Sequence, residues 1–227
     1  MSFLLINKPA GITSHDVIDR VRRITGERKV GHAGTLDPFA TGLLIVAVGR
    51  SSTKRLSEFV KLDKSYRAAI HFGGTSDTQD RTGVITTCHP EPAEGSRPSQ
   101  QELEAALKKF TGPQKQTPPM YSAKKVGGKK LYELARAGKT IERDPVDITI
   151  HSLELVSYDW PRAVVDVSCT SGTYIRTLGA DIGDTLGVGA YLDELERTSI
   201  DSHLLNNSVV LKDLTQENWM EHTRDLT

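Results

Sequence analysis

The stretch Gly31-His32-Ala33-Gly34-Thr35-Leu36-Asp37-Pro38-Phe39-Ala40-Thr41-Gly42-Leu43-Leu44 decides how this chain is read. It places one carboxylate, Asp37, in a loop punctuated by three glycines and a proline. The loop runs straight into Leu43–Val48, an apolar run that predicts a buried strand. A single acid where a loop meets a rigid element suits a nucleophile or general base. An Asp before Pro is also a common turn or cap residue, because its side chain accepts from nearby backbone N–H groups. His32 either forms a proton relay with Asp37 or is an ordinary loop histidine. Spacing alone leaves both readings open.

Upstream, Phe3–Ile6 predicts a short strand ended by Lys8-Pro9-Ala10-Gly11. Thr13 and Asp16 have capping-box spacing, and Val17, Ile18, Val21 and Ile24 share a helical face that Gly26 terminates. Downstream, Tyr66, Ala68, Ile70 and Phe72 alternate as a strand with one buried face, and Val84–Thr87 predicts a second, shorter one. Residues 89–99, HPEPAEGSRPS, read as a surface loop. Ser99 and Glu102 form a second capping box before a helix with Leu103, Ala106, Leu107 and Phe110 on one face. Residues 112–130 hold three prolines, three glycines and five lysines, and are expected to form no regular core element. Leu131–Ala137 predicts a short helix stopped by Gly138. Val146, Ile148 and Ile150, then Ala163, Val165, Val167 and Cys169, alternate as strands. Ile175, Leu178, Ile182 and Leu186 predict a helix ending at Gly187, and Tyr191–Arg197 predicts another short helix. Strands and helices mix without strict βαβ alternation, which predicts an α+β fold, here a single domain over residues 1–227.

Formal net charge is zero, yet Lys108 to Arg143 carries ten basic residues against two acids, Glu133 and Glu142. The remainder has 19 basic and 27 acidic residues. The basic segment is either a solvated lysine-rich face or a contact for an anionic partner. Lys124, Lys125, Lys129 and Lys130 are interleaved with Tyr121 and Tyr132. Lysines neutralise phosphates and aromatic rings stack on unpaired bases, so the mixture points to nucleic acid. Cys88 and Cys169 have no C-x-x-C spacing, which predicts neither a disulfide framework nor a zinc site. The N-terminal apolar run is too short for a signal peptide, and nothing approaches the roughly 20 apolar residues that span a bilayer. A soluble, cytoplasmic protein is expected. Asp77 and Asp80 are spaced for a turn that caps its own N–H groups, or for a weak metal site. Arg176 opens a helix, where it is either a surface residue or a partner for a carboxylate or phosphate. Tyr66 either packs in the core or offers a face to a base.

Several motifs, in order along the chain, resemble those of the TruB family of tRNA pseudouridine synthases. Leu5-Ile6-Asn7-Lys8-Pro9-Ala10-Gly11-Ile12-Thr13-Ser14 is similar to the family's N-terminal KP-x-G-x-TS signature. Gly31–Leu44 resembles its catalytic motif, and Lys64-Ser65-Tyr66-Arg67 its K-x-Y motif. Thr75–Asp80 resembles the T-x-D-x-x-D turn. Pro118–Ala123 with Gly128–Tyr132 resembles an RNA-gripping thumb, placed at about 112–140, and Ser171–Arg176 matches GTYIR. The resemblance implies a bent, mostly antiparallel sheet flanked by helices. It implies isomerisation of uridine 55 in the tRNA T-loop, by base flipping and covalent attack, without cofactor or metal. It makes Asp37 the nucleophile and Arg176 its ion-pair partner. Tyr66 would stack on the flipped uracil, and His32 would fill the space that base leaves. Leu195 would line the uracil pocket, and Asp80 would belong to the cleft without a defined role. Only about 30 residues follow Arg197, which implies a short-form member without a C-terminal PUA-type domain. It also argues against the related guide-RNA-dependent enzymes. A monomer is expected, with the tRNA T-arm as partner and no obligatory protein partner. The alternatives are a non-catalytic RNA-binding or tRNA-folding module and, more distantly, a metal-dependent phosphohydrolase built on Asp37, Asp77 and Asp80.

Overall fold

Strand β1 (Ser2–Lys8) opens the fold, and Lys8-Pro9 turns the chain towards helix α1 (Ser14–Thr25). Thr13 caps that helix as its spacing requires: its side chain accepts from the Asp16 N–H, and the Asp16 carboxylate accepts from the Thr13 N–H. Gly26 ends the helix with φ of 69° and donates its N–H to the Arg22 carbonyl. Strands β2 (Val30–Ala33) and β3 (Thr41–Val48) then form an antiparallel pair closed by the loop of residues 34–40. Two short helices follow, α2 (Arg50–Thr53) and α3 (Leu56–Val60), and strand β4 (Lys64–Phe72). The structure is a computed structural model that describes residues 1–88, 97–122 and 124–226. Most of the expected surface loop, residues 89–96, lies outside the described residues, as do Ala123 and the side chains of Lys125 and Lys130.

Past β4 come the short pair β5 (Gly74–Ser76) and β6 (Ile85–Thr87), then helix α4 (Gln100–Lys109) with its Ser99–Glu102 capping box. Strand β7 (Gly112–Gln116) follows. Its pairing with residues 146–150 corrects the expectation that residues 112–130 form no regular core element. Pro113 is tolerated because β7 ends the strand order, so its missing N–H leaves no ladder partner unsatisfied. A small hairpin, β8 (Lys125–Val126) and β9 (Lys129–Lys130), leads into helix α5 (Leu131–Arg136). Strands β10 (Val146–Asp159) and β11 (Arg162–Cys169) form a long antiparallel pair, and β10 also pairs with β7. Helix α6 (Ile175–Thr185) buries Ile175, Leu178 and Ile182.

Strand β12 (Ala190–Ile200) corrects the short helix expected at Tyr191–Arg197. Leu192 and Leu195 are three apart, which mimics a helical face, but the segment pairs in parallel with β3 at Glu196–Thr41 and Arg197–Gly42. Sheet pairing overrides so short a local preference. Three short strands close the chain: β13 (His203–Leu204), β14 (Val209–Val210) and β15 (Thr223–Arg224).

The residues group into two compact units, 1–67 with 195–227, and 68–194. In the first, β3 is the central element. Leu44, Val46 and Val48 pack with Leu4, Ile6, Val17, Ile18 and Val21 on one face. Leu43, Ile45 and Ala47 pack with Phe3, Leu5, Phe59 and Ile200 on the other. This two-sided burial explains why β3 reads as a continuous apolar run. The second unit is built on β10 and β11, with α4 and α6 supplying apolar faces. The mixture of helices with a mostly antiparallel sheet is the α+β class expected. Among the described residues, no helix is long and apolar enough to cross a membrane.

Because both faces of β3 are core, Leu44→Ala and Ile45→Ala should each cost about 2–5 kcal/mol in urea unfolding. A loss below about 1 kcal/mol at either position would show that this face of β3 is not close-packed.

Candidate active site

The loop carrying Asp37 is bound at every few residues by groups from elsewhere in its own unit. The Ser14 hydroxyl accepts from the Leu36 N–H at 2.9 Å and donates to the Leu36 carbonyl. The Pro38 carbonyl accepts from the Gly11 N–H at 2.8 Å and from Lys8 Nζ at 3.4 Å. The Ala40 N–H closes a turn onto the Asp37 carbonyl at 3.1 Å. Lys8 also donates to the carbonyls of Pro9 and Ile12, each at 2.8 Å. The KP-x-G segment and the Asp37 segment are therefore one hydrogen-bonded body, although roughly 30 residues separate them.

Arg197 completes the scaffold. Its side chain is 1% exposed. Nε donates to the Leu43 carbonyl at 2.7 Å and Nη2 to the Gly34 carbonyl at 3.0 Å. The Tyr66 phenol lies beside the guanidinium and partly offsets the effect of its burial. Backbone crowding explains one glycine here. Gly42 has φ of 103°, and a Cβ on it would lie 2.4 Å from the Arg197 carbonyl oxygen. Only glycine lets β3 and β12 approach so closely.

These groups set the local electrostatics. Burial lowers the Lys8 ammonium to about 8, and attraction to Asp37 partly offsets that. Burial, Arg197 and His15 together hold His32 below its ordinary value. His32 is thus neutral at pH 7, and its Nδ1 is buried with no hydrogen-bond partner among the described residues. Leu195 is a buried residue of β12.

In the second unit, Arg176 is the organising group. It lies in the first turn of α6 and is 3% exposed. Nη1 donates to the Thr78 carbonyl and Nη2 to the Tyr121 carbonyl, both at 2.7 Å. Nη1 lies 3.7 Å from Asp80 Oδ2. Asp80 Oδ1 accepts from the Thr78 hydroxyl and from the N–H and hydroxyl of Thr82. Asp77 accepts from the Val84 N–H. Both acids therefore serve their own turn, and no group of three or more metal-ligating side chains exists among the described residues. Gln116 ties the end of β7 to the start of α6: its amide donates to the Tyr174 carbonyl and accepts from the Tyr174 N–H. Tyr121 is half-buried, and Lys124 and Lys129 belong to the hairpin that follows.

Asp37, Tyr66, His32 and Leu195 thus belong to the first unit, and Arg176, Asp80, Tyr121, Lys124, Lys125, Lys129 and Lys130 to the second. Sequence reasoning assigned no role to Lys8, Ser14, Gln116 or Arg197. Lys8 and Ser14 stand inside a quoted motif, which was a usable signal. Arg197 had none: the carbonyls it holds are 154 and 163 positions away.

Comparison with known proteins agrees with this geometry. Residues 22–175 match the family described as "TruB family pseudouridylate synthase (N terminal domain)". A protein named tRNA pseudouridine synthase B from Desulfotalea psychrophila is 48% identical over 86% of this chain and 79% of its own length. Its namesake from Bordetella pertussis is 44% identical over 93% of this chain and 85% of its own. Among solved structures, a Cbf5-Nop10-Gar1 complex is similar with TM-score 0.76 and 24% identity, over 98% of this chain and 59% of that one. An archaeal box H/ACA sRNP Nop10-Cbf5 complex has TM-score 0.69 and 26% identity, over 97% and 55%. The chain spans little more than half the length of these two structural neighbours, whose likeness bears on the fold. With the family pattern covering most of the chain, and relatives above 40% identity over nearly all of it, the chain belongs to the TruB family of pseudouridylate synthases.

Proposed function

We propose that this enzyme, an isomerase of tRNA, converts uridine 55 of the T-loop to pseudouridine with Asp37 as its nucleophile. The observation that carries the reading is Asp37 itself, in the family's motif and on a loop held by Ser14, Gly11 and Lys8. A nucleophile needs such support, because a misplacement of about 1 Å can cost a hundredfold in rate. The relatives' common name, tRNA pseudouridine synthase B, supports tRNA as substrate.

A uracil stacked in the T-loop is out of reach, so it is flipped into the site. The Asp37 carboxylate forms a covalent bond at ribose C1′ or uracil C6. The N1–C1′ bond breaks, the base turns, and C5 bonds to C1′. The Asp37–carbon bond breaks as the product forms, which returns the free carboxylate. The C5 proton leaves and N1 gains one, with no net oxidation or reduction. Tyr66 stacks on the flipped base, Leu195 lines its pocket, and neutral His32 occupies the gap left in the RNA. Arg176 is assigned to the Asp37 carboxylate by the family pattern, and Asp80 holds Arg176. Residues 1–227 act as one catalytic domain and as a monomer in the cytoplasm. The thumb of about 112–140 grips the T-arm through Tyr121, Lys124, Lys125, Lys129 and Lys130.

Asp37→Asn keeps the shape of the side chain but cannot attack as a carboxylate. It should abolish pseudouridine formation in a T-arm RNA while binding that RNA as the wild type does. Turnover near the wild-type rate would remove Asp37 from the mechanism.

Arg176→Lys retains the charge but loses the planar fork that reaches two carbonyls at once. Its single-turnover rate on saturating RNA should fall about a hundredfold. Full activity would mean that the fork is dispensable.

Replacing Lys124, Lys125, Lys129 and Lys130 with Ala should weaken T-arm binding and flatten its salt dependence. For every phosphate left without its lysine, the log–log slope should fall by roughly 0.7 to 0.9. An unchanged slope would place the RNA away from this hairpin.

A further inference from the structure

Arg197 is a buried cation with no carboxylate within ion-pair distance among the described residues. Taking a guanidinium out of water without a counter-charge is costly. Its acceptors are the Gly34 and Leu43 carbonyls, and the Tyr66 phenol lies beside it. Gly34 is the first residue of the loop between β2 and β3, and Leu43 lies just past its end. Asp37 is between them. The second edge of β3 is shared: β2 pairs with its far half, from Ala33–Ile45 to Val30–Val48, and β12 pairs with Thr41 and Gly42. The Arg197 side chain enters at this fork, across the base of the loop. Gly34, with φ of 76°, leaves room there: a Cβ on it would lie 3.5 Å from Arg197 Nη1.

We propose that Arg197 is a positioning residue that fixes the Asp37 loop and the Tyr66 ring relative to each other through one planar guanidinium. A guanidinium has five N–H donors in a rigid fork, so the two carbonyls bound to it have little freedom between themselves. Both ends of the Asp37 loop are thereby fixed to the same plane that the Tyr66 phenol adjoins. The proposal rests on the reading of Asp37 as nucleophile and Tyr66 as its companion at the base.

The test compares wild type, Arg197→Lys, Tyr66→Phe and the double variant. Lysine keeps the charge but presents one nitrogen to two carbonyls. Amide hydrogen exchange should quicken in peptides covering residues 34–43 and 64–67, while exchange in α4 and β10 is unchanged. Single-turnover rate on saturating T-arm RNA should fall about a hundredfold, with RNA affinity held within about threefold. Tyr66→Phe should cost less in the Arg197→Lys background than in wild type, because the ring has already lost its reference. An unaltered rate, fully multiplicative losses, or a rate loss matched by weaker RNA binding would overturn the proposal. Uniformly faster exchange across the unit would reduce Arg197 to a plain structural residue. If Arg197→Lys melts early, Arg197→Gln is compared with wild type at a temperature where both are folded. Should the wild type make no pseudouridine, the proposed function fails by itself, and the exchange pattern alone then decides the clamp.

Discussion

A carboxylate on a loop keeps its place only if the backbone around it has partners that the loop cannot supply. The loop of residues 34–40 makes one turn of its own, from Asp37 to Ala40. Everything else that holds it comes from outside. Ser14 takes Leu36, Gly11 and Lys8 take Pro38, and Arg197 takes Gly34 and Leu43. The first unit follows from this need. Strand β1 must end at Lys8 so that the ammonium reaches Pro38, and α1 must start where Ser14 meets Leu36. Strand β12 must pair with the first residues of β3 so that Arg197 can cross the loop. Burying two cations is expensive, and carbonyl oxygens with partial negative charge offset part of that cost.

The second unit solves a similar problem with a similar part. Arg176 reaches two carbonyls through two different nitrogens, and so joins the Asp80 turn to the segment at Tyr121. Gln116 repeats the device without charge, pairing with both backbone groups of Tyr174. Planar side chains with fixed donor geometry are used wherever separate segments must keep one mutual placement. A flexible ammonium would meet the charge requirement and leave the geometry loose.

What could be read in the sequence was local. Thr13 with Asp16 and Ser99 with Glu102 are capping boxes four residues long, and both are formed. The alternation in β4, β10 and β11 records one-sided burial, and the run in β3 records two-sided burial. The family's motifs carried the membership that the comparisons show. The failures were equally physical. Tyr191–Arg197 has leucines at helical spacing, yet its partner strand is some 150 residues away, so no local signal exists for the pairing that wins. Gly112–Gln116 carries a proline that argues against a strand unless its edge position is known. Arg197 is invisible for the same reason: its value lies in carbonyls that any residue type would present.

The loop's construction also bears on substrate choice. On the proposed reading, a rigidly held nucleophile waits for a base that has already left its stack, so selection falls to whatever presents the flipped uridine. On the same reading the basic hairpin and Tyr121 would offer phosphate and stacking contacts for that presentation, and a pre-bent T-loop would supply the unstacked geometry at least cost. The most direct measurement is position-resolved mapping of pseudouridine in an intact, unmodified tRNA transcript treated with the purified protein. A single conversion, at uridine 55, is the result predicted. Conversion at any other uridine, or none at all, would contradict the account.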